Sequence, residues 1–277
     1  MAARPLNQIS LAAGSVADDL GYIALADISR LLDTATDYRI IGGLMVTVLA
    51  YRWDLGASLY RETLDADLGV LPVVARDLDI AGRLKAAGYR QVAGDRFEKT
   101  IGDIPAGLAG TAASAYSAAI DVLVPAYTSR PRQNVTVAPD LVTTEVPGLQ
   151  IALARPQVEL TLDLQRLNGD LSSVRLLFPD EASALTLKAF ATTVRIKPTD
   201  IADVWRCLEI CFAAGVTADA FSRGTTAQGA AIIRELFHRQ ADPGMQALID
   251  QQRLSKVAAE QRYTRIRALM ARLLPPT

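Results

Sequence analysis

Two short segments near the start of the chain carry residue types that could bind phosphate and a metal ion. Gly42 and Gly43 follow a short apolar run and open a predicted helix over residues 44–53. Glycines let a phosphate approach the backbone, and a helix N-terminus attracts anions. Farther along, Asp65 and Asp67 lie one residue apart in an apolar stretch. Carboxylate oxygens are ligands that Mg²⁺ prefers, so together the segments predict a site that transfers a nucleotide.

The two aspartates belong to a stretch in which apolar and polar residues alternate. This alternation over residues 63–70 predicts a half-buried strand with both carboxylates on one face. Thr63 shares that face and Arg61 precedes it, so either could contact phosphate or metal. Asp121 is the only charge in a second predicted strand, 118–124, and a buried charge needs a partner. Three carboxylates on neighbouring strands could hold two Mg²⁺ ions about 4 Å apart.

Positive charge for the phosphates is predicted on a helix in the second half of the chain. Lys188, Thr192 and Arg195 have the spacing of one helix face, and Lys188 could reach a phosphate. Asp200 and Asp203 open the following helix and could orient that lysine or the nucleotide. The alternative is an exposed lysine and ordinary first-turn acids, which the helix dipole favours in any protein.

Hydrophobic periodicity predicts an α+β fold, with strands and helices in the front of the chain and helices alone in the back. The predicted boundary between these two parts lies near residues 178–180. The predicted strands are 38–41, 63–70, a pair within 89–99, 118–124 and 174–178, with a mixed β-prone region over 135–164. The predicted helices are 16–32, 44–53, 72–87, 180–195, one capped by Thr199, 226–239 and 245–274. Residues 101–111 are predicted to form a loop.

Composition excludes several classes of protein and site. The single histidine, His238, is too few for a zinc site based on histidine. Cys207 and Cys211 have helical spacing, which predicts two small buried side chains rather than a disulfide framework. No secretory signal pattern opens the chain, and residues 44–51 are too short a run to span a bilayer. A cytoplasmic protein without membrane partners is the expectation.

Charge is distributed unevenly along the 277 residues. The net charge is −1, yet residues 223–277 contain nine Lys/Arg and four Asp/Glu, which leaves −6 for the first 222. A basic C-terminal quarter beside an acidic metal-binding part suits a polyanionic substrate. Ordinary solvated helix faces, including the one that carries Arg265 and Arg272, are the alternative explanation.

In their order along the chain, these motifs resemble the AbiEii/AbiGii-type nucleotidyltransferases of the DNA polymerase β superfamily. The matching elements are Ile-Ile-Gly-Gly at 40–43, Arg-x-Thr-x-Asp-x-Asp at 61–67, Ile-Asp-Val-Leu at 120–123, and Leu-Lys-Ala at 187–189 leading to Arg195 and Asp200-x-x-Asp203. The resemblance implies a two-lobed protein. Residues 1–178 would form a nucleotidyltransferase core, a small mixed β-sheet with flanking helices, and residues 179–277 a helical C-terminal lobe that closes over the nucleotide. Family members are often toxins of toxin–antitoxin or phage-defence systems. The MenT toxins among them add nucleotides to the 3′ acceptor end of tRNA, so tRNA and a cognate antitoxin protein are the implied partners.

The resemblance also implies roles for individual residues. Gly42 and Gly43 would bind phosphate, Asp65 and Asp67 the metals, and Lys188 the triphosphate. Asp203, with Asp200 as the alternative, would complete the catalytic group. Two departures stand out: many superfamily members have Gly-Ser where this chain has Gly-Gly, and the third carboxylate, here Asp121, is variable.

Three hypotheses follow from these observations. The first is a Mg²⁺-dependent nucleotidyltransferase (EC 2.7.7-type) that acts on RNA. The second is nucleotide transfer to a hydroxyl of a protein or of a small, antibiotic-like molecule, because the acidic front of the chain suits a cationic acceptor. The third is a non-catalytic nucleotide-binding module, which the absent serine favours.

Overall fold

The computed structural model describes residues 4–102, 116–128, 131–194 and 197–276. Its strands are β1 (Gln8–Ala12), β2 (Tyr38–Ile41), β3 (Asp65–Val70), β4 (Arg90–Gln91), β5 (Arg96–Thr100), β6 (Ser117–Pro125), β7 (Val135–Ala138), β8 (Leu141–Val146), β9 (Val158–Gln165) and β10 (Leu171–Phe178). Its helices are α1 (Val16–Leu31), α2 (Gly42–Arg52), α3 (Gly56–Leu59), α4 (Pro72–Asp77), α5 (Ile80–Ala86), α6 (Leu149–Ala154), α7 (Glu181–Val194), α8 (Pro198–Ala213), α9 (Gly224–Phe237), α10 (Pro243–Gln252) and α11 (Lys256–Leu273). The predicted α+β class is confirmed.

Two mixed sheets make up the β structure. The larger has the order β2-β3-β6-β5-β4, and β8 extends it by pairing with the end of β6 and with β7. In it β3 and β6 run parallel, whereas β2 and β5 are antiparallel to their neighbours. The smaller sheet has the order β1-β9-β10. Strand β6 therefore lies at the centre of the larger sheet, between β3 and β5.

Alternating side chains explain why β3 and β6 pair where they do. Ala66, Leu68 and Val70 of β3 are buried in the apolar core, and the aspartates between them lie on the opposite, half-buried face. Strand β6 has the same alternation, with Ile120 and Val122 buried on either side of Asp121. A shift of one residue in either strand would expose its apolar set. The predicted strand face that carries both aspartates is therefore present.

Two helices that periodicity predicted as continuous are each broken in two. Residues 72–87 form α4 and α5, because Asp79 adopts a left-handed conformation (φ +47°) and its carboxylate accepts the N–H of Gly82 at 3.1 Å. Residues 245–274 form α10 and α11, because Arg253 is also left-handed (φ +48°) and Ser255 caps the second helix. Periodicity does not reveal such breaks, since the apolar pattern continues through them.

The predicted cap of α8 was wrong, whereas that of α7 is confirmed. Helix α8 begins one residue before Thr199, at Pro198, and has no side-chain cap. Proline suits the first helical position because its ring fixes φ and it has no N–H to satisfy. At α7 the Asp180 carboxylate accepts the N–H of Ser183 at 2.8 Å. Arg195 and most of the predicted loop over 101–111 lie outside the described residues.

From Glu181 onward the described elements are helical, with α7 packed against α8 and α9. Buried apolar side chains form one cluster that continues from the sheets into these helices. The division into domains at residue 178 stays a prediction. No helix of the described ranges has the length and apolar character needed to cross a membrane.

Candidate active site

The two predicted metal-binding strands bring a carboxylate from each into register. In the parallel pairing of β3 with β6, Asp67 is opposite Asp121, and Asp65 is opposite Ala119. Residues paired in this way project to the same face of a sheet, with strands about 4.8 Å apart. Burial and the negative charges of Asp67 and Asp65, opposed by Arg96, together raise the pKa of Asp121 to about 7. The geometry therefore gathers the three predicted carboxylates at one place.

Arg96 is a residue of this site that the sequence analysis missed. It is the β5 partner of Asp121, and its Nη1 lies 3.0 Å from Asp121 Oδ2 and 3.4 Å from Asp65 Oδ2. Its Nε also donates to Glu98 at 3.0 Å. A signal was available, since Arg96 and Glu98 alternate with a buried Phe97 and so share one face of β5. The guanidinium supplies part of the positive charge that three crowded carboxylates require.

The suitability of these carboxylates for Mg²⁺ can be judged from their surroundings. Among the described residues, no group of three or more His, Cys, Asp or Glu side chains has the arrangement of a metal site. Arg96 contacts two of the three predicted ligands. Nevertheless, the donors are hard oxygens of the kind that Mg²⁺ prefers. Burial, and after it the charge of Asp67, raises the pKa of Asp121, and a divalent cation would favour the ionised carboxylate. The residues suit Mg²⁺ chemically, and metal binding by Asp65, Asp67 and Asp121 stays a prediction.

The N-terminus of α2 lies directly against this carboxylate cluster. Gly42 is left-handed (φ +73°), and a Cβ built on it would overlap the carboxylate of Asp67. Only glycine combines that backbone conformation with so close an approach. Because the first N–H groups of a helix have no intrahelical acceptor, α2 presents hydrogen-bond donors and the positive end of its dipole beside Asp67.

The second glycine faces different neighbours. A Cβ on Gly43 would lie 2.6 Å from Thr63 Oγ1 and 3.1 Å from Arg61 Cζ. Thr63 is buried, and its hydroxyl has no hydrogen-bond partner within the described part of the chain. Gly42 therefore lies beside the carboxylates, and Gly43 lies beside the hydroxyl of Thr63 and the guanidinium of Arg61.

A cluster of cations surrounds one carboxylate in the helices behind the glycines. The fully buried Asp203 of α8 accepts Lys188 Nζ of α7 at 2.8 Å and Arg206 Nη1 at 3.1 Å, and it also pairs with Arg61. Asp200 is farther away, with Oδ1 3.8 Å from Lys188 Nζ. Burial lowers the pKa of Lys188, but Asp203 and Asp200 outweigh it and hold that pKa above its ordinary value. Lys188 is therefore a buried ammonium.

Arg206 is the second residue that the sequence analysis missed. Its Nε donates to the carbonyl of Leu59 at 3.0 Å, so it fastens α8 to the chain just before Arg61. The sequence signal that could have identified Arg206 is its position three residues after Asp203, because residues with this spacing lie on the same face of a helix. Thr192, which was predicted on the same helix face as Lys188, donates its hydroxyl hydrogen to the carbonyl of Ala189 within α7 at 2.7 Å.

The structure thus brings together the predicted residues of four separate chain segments. Gly43 adjoins Arg61, Arg61 pairs with Asp203, and Asp203 holds Lys188. On the other side, Gly42 adjoins Asp67, which is in register with Asp121. An anion at the N-terminus of α2 would have cations on one side and carboxylates suited to a metal ion on the other.

Comparisons with known proteins leave the family open. No protein-family model matches the sequence, and no curated protein matches it. Among solved structures, the chain is similar to the crystal structure of an antigenic nucleotidyltransferase-like protein from Paracoccidioides brasiliensis. The two share 15% sequence identity over 94% of this chain and 95% of the other, with a TM-score of 0.43. A likeness this distant carries no conclusion about activity.

Proposed function

We propose that the protein is a Mg²⁺-dependent nucleotidyltransferase that transfers a nucleotide from a nucleoside triphosphate to RNA, with the 3′ acceptor end of tRNA as the expected acceptor. The observation that carries this proposal is the position of the α2 N-terminus. Its two glycines adjoin Asp67 on one side and Arg61 with Thr63 on the other. Phosphate-binding groups and metal-binding carboxylates therefore meet within one short stretch of backbone.

Different residues would have different roles in such a reaction. Backbone N–H groups at Gly42 and Gly43 would hold the triphosphate, and the helix dipole favours its negative charge. Lys188 and Arg61 add positive charge, and Asp203 positions both of them. Because phosphoryl and nucleotidyl transfer need little covalent help from the protein, positioning and charge provide most of the catalysis.

Asp65 and Asp67, with Asp121, are the residues that would hold Mg²⁺, up to two ions during turnover. When bound, the metal would supply Lewis-acid stabilisation of the phosphates and of the attacking hydroxyl. Arg96 pairs with Asp65 and Asp121, and its guanidinium holds these carboxylates in place.

The choice of acceptor is supported by charge. Residues 223–277 carry nine Lys/Arg against four Asp/Glu, and such a basic region suits a nucleic-acid backbone. The role proposed for this activity, as a toxin of a toxin–antitoxin or phage-defence system with a cognate antitoxin, rests on the motif resemblance alone. A cytoplasmic location belongs to the same proposal.

A second candidate is transfer to a hydroxyl of a protein or of a cationic small molecule. It is favoured by the charge of −6 on the first 222 residues, which include the carboxylate cluster. The two candidates share the nucleotide site and differ only in the acceptor. A non-catalytic nucleotide-binding module would use the same phosphate-binding groups without turnover.

The test is incubation of the protein with labelled nucleoside triphosphates, Mg²⁺ and total tRNA. We expect label on the tRNA 3′ end with the wild type and none with Asp67→Asn. The matched control is Asp77→Asn, because Asp77 lies on α4 with more than half of its side chain exposed and pairs with its sequence neighbour Arg76. It should transfer label as the wild type does.

Each other outcome selects a different conclusion. Label on added protein or on an aminoglycoside instead of tRNA would favour the second candidate. Nucleotide binding without transfer to any acceptor would favour the non-catalytic module. If Asp67→Asn transfers label as well as the wild type, the assigned site is wrong. Growth arrest on induction of the wild type, but not of Asp67→Asn, would support the toxin role.

A further inference from the structure

Thr63 is a buried side chain whose hydroxyl is left without a partner. Only 4% of the residue is exposed, and Oγ1 forms no hydrogen bond to any described residue. Leaving a buried hydroxyl unsatisfied costs free energy, so native proteins rarely do so. When such a group lies in a candidate binding site, a ligand that completes its hydrogen bonds is the natural explanation.

The hydroxyl is also held in a fixed place. A Cβ on Gly21 of α1 would lie 2.7 Å from the carbonyl oxygen of Thr63, and one on Gly43 of α2 would lie 2.6 Å from Oγ1. Thr63 is therefore enclosed between two helices that approach it closely through glycines. Thr47 Oγ1 donates to the carbonyl of Arg61 at 3.2 Å, which fixes the preceding segment.

The surroundings of Thr63 Oγ1 indicate an anionic ligand. Helix α2, which has 11 residues, lacks a side-chain cap at Ile41 and has no acidic residue in its first turn. The terminal N–H groups of a helix have no acceptor within the helix itself and favour an anion. The guanidinium carbon of Arg61 lies beside the same point, 3.1 Å from a Cβ built on Gly43. A hydroxyl, backbone N–H groups and a guanidinium are together suited to phosphate oxygens.

We propose that the Thr63 hydroxyl donates a hydrogen bond to a phosphate group of the nucleoside triphosphate bound at the N-terminus of α2. The inference rests on the proposed function and identifies which side chain completes the phosphate site. Because Thr63 contacts phosphate and not the base, its contribution is the same for every nucleoside triphosphate and for inorganic triphosphate.

Positions 43 and 63 share one small space. Since a side chain at residue 43 would begin 2.6 Å from Thr63 Oγ1, the site holds a hydroxyl from one of the two positions and not from both. Gly43 is the residue that leaves room for Thr63. A hydroxyl supplied from position 43 could therefore replace that of Thr63, provided that the side chain at 63 is shortened.

The first experiment measures binding of ATP and of inorganic triphosphate by calorimetry, in the presence of Mg²⁺. Thr63→Val keeps the shape and removes the hydroxyl, so we expect both ligands to bind about 10- to 100-fold more weakly. Thr63→Ser should bind nearly as the wild type does. Because the lost hydroxyl had no partner, the Tm of ligand-free Thr63→Val should be unchanged or raised.

Thr143→Val is the matched control. Thr143 is a buried threonine of β8 whose hydroxyl donates to the carbonyl of Val122. Its removal should lower the Tm and leave triphosphate binding unchanged. If Thr63→Val bound triphosphate more weakly only because it had lost a structural contact, its Tm would be lowered as well, as in this control.

A hydroxyl exchange provides the second experiment. Gly43→Ser and Thr63→Ala should each bind triphosphate more weakly, the first through crowding and the second through loss of the hydroxyl. The double variant should recover binding relative to both. Equal loss in the double variant would contradict the shared-space argument.

The outcomes separate this inference from the proposed function. If the wild type binds ATP and triphosphate and Thr63→Val binds them equally well, the inference is overturned while the proposed function stands. If the wild type binds neither ligand, both are overturned. Weaker binding of both ligands in Thr63→Val, with an unchanged or raised Tm, supports both.

Discussion

Lys188 of α7 and Asp203 of α8 form a buried ion pair, with Nζ 2.8 Å from Oδ2. The same carboxylate pairs with Arg61 and Arg206, so one anion contacts three cations from three chain segments. Removing one partner of a buried pair is strongly destabilising because it leaves uncompensated charge. Asp203 therefore has a structural part in the candidate site, in addition to the functional part proposed for it.

We expect Asp203→Asn to lower the free energy of unfolding by about 3–5 kcal/mol. Asp200→Asn should cost less, because Asp200 lies 3.8 Å from Lys188 and is not the carboxylate on which the cations converge. Urea denaturation measures both, with the exposed Asp77→Asn as the control. A loss in Asp203→Asn no larger than in Asp77→Asn would contradict the assignment.

Gly42 should be intolerant of a side chain for two separable reasons. Its left-handed backbone (φ +73°) disfavours any Cβ, and that Cβ would also overlap the Asp67 carboxylate. Gly169 is a suitable control, since it is left-handed too (φ +90°) and a Cβ there meets nothing within 4 Å. We expect Gly169→Ala to cost about 1–2 kcal/mol in unfolding free energy and Gly42→Ala distinctly more. Equal costs would show that the contact with Asp67 does not constrain the site.

The carboxylate cluster should give the metal-free protein a specific pH dependence. Burial and the charge of Asp67 raise the folded-state pKa of Asp121 from 3.8 to about 7. Between these values the folded state binds the extra proton, so this contribution to stability is present at low pH and is lost as the pH rises towards 7. Asp121→Asn cannot ionise and lacks the effect.

The measurement is urea unfolding in EDTA from pH 4 to pH 8. The stability of the wild type relative to Asp121→Asn should fall over this range by an amount on the order of 1–4 kcal/mol. Arg96 opposes the rise in the pKa of Asp121, so Arg96→Gln should move the midpoint to higher pH. Arg90→Gln, an exposed residue of β4, should not move it. A pH-independent difference would show that Asp121 keeps an ordinary pKa.

The two cysteines should be unreactive in the folded protein. Cys207 and Cys211 are free and buried on α8, and burial raises the pKa of both thiols well above the ordinary value. The thiolate is the reactive form, so a disulfide reagent at pH 8 should label them only at the rate of unfolding. Addition of denaturant should accelerate labelling by at least about 100-fold, since unfolded fractions are small in water. Rapid labelling without denaturant would contradict the burial.

The local features of the site followed from short sequence patterns. Alternation in β3 placed Asp65 and Asp67 on one face, and the glycine pair marked the start of α2. These features depend on residues only a few positions apart, so they can be predicted from the sequence alone. The breaks at Asp79 and Arg253 were not predicted, because a left-handed residue interrupts a helix without interrupting its apolar pattern.

The residues missed by sequence analysis were those whose role depends on a distant partner. Arg96 belongs to the site only because β5 pairs with β6, which places Arg96 opposite Asp121. Arg206 belongs to it because it contacts Asp203 on the same helix and the carbonyl of Leu59, which is far away in sequence. The local patterns of the two arginines, strand alternation at Arg96 and a spacing of three from Asp203 at Arg206, do not identify these distant partners.

The sequence by itself determined the residue types of the site, the strand that carries two of its aspartates, and the glycines at which α2 begins. Only the tertiary structure decided that Asp67 is in register with Asp121 and that Lys188 reaches Asp203. It also decided that the hydroxyl of Thr63, beside Gly43, has no hydrogen-bond partner among the described residues. The physical reason is that strand register and helix packing are fixed by burial of the whole apolar core. No single segment encodes that arrangement.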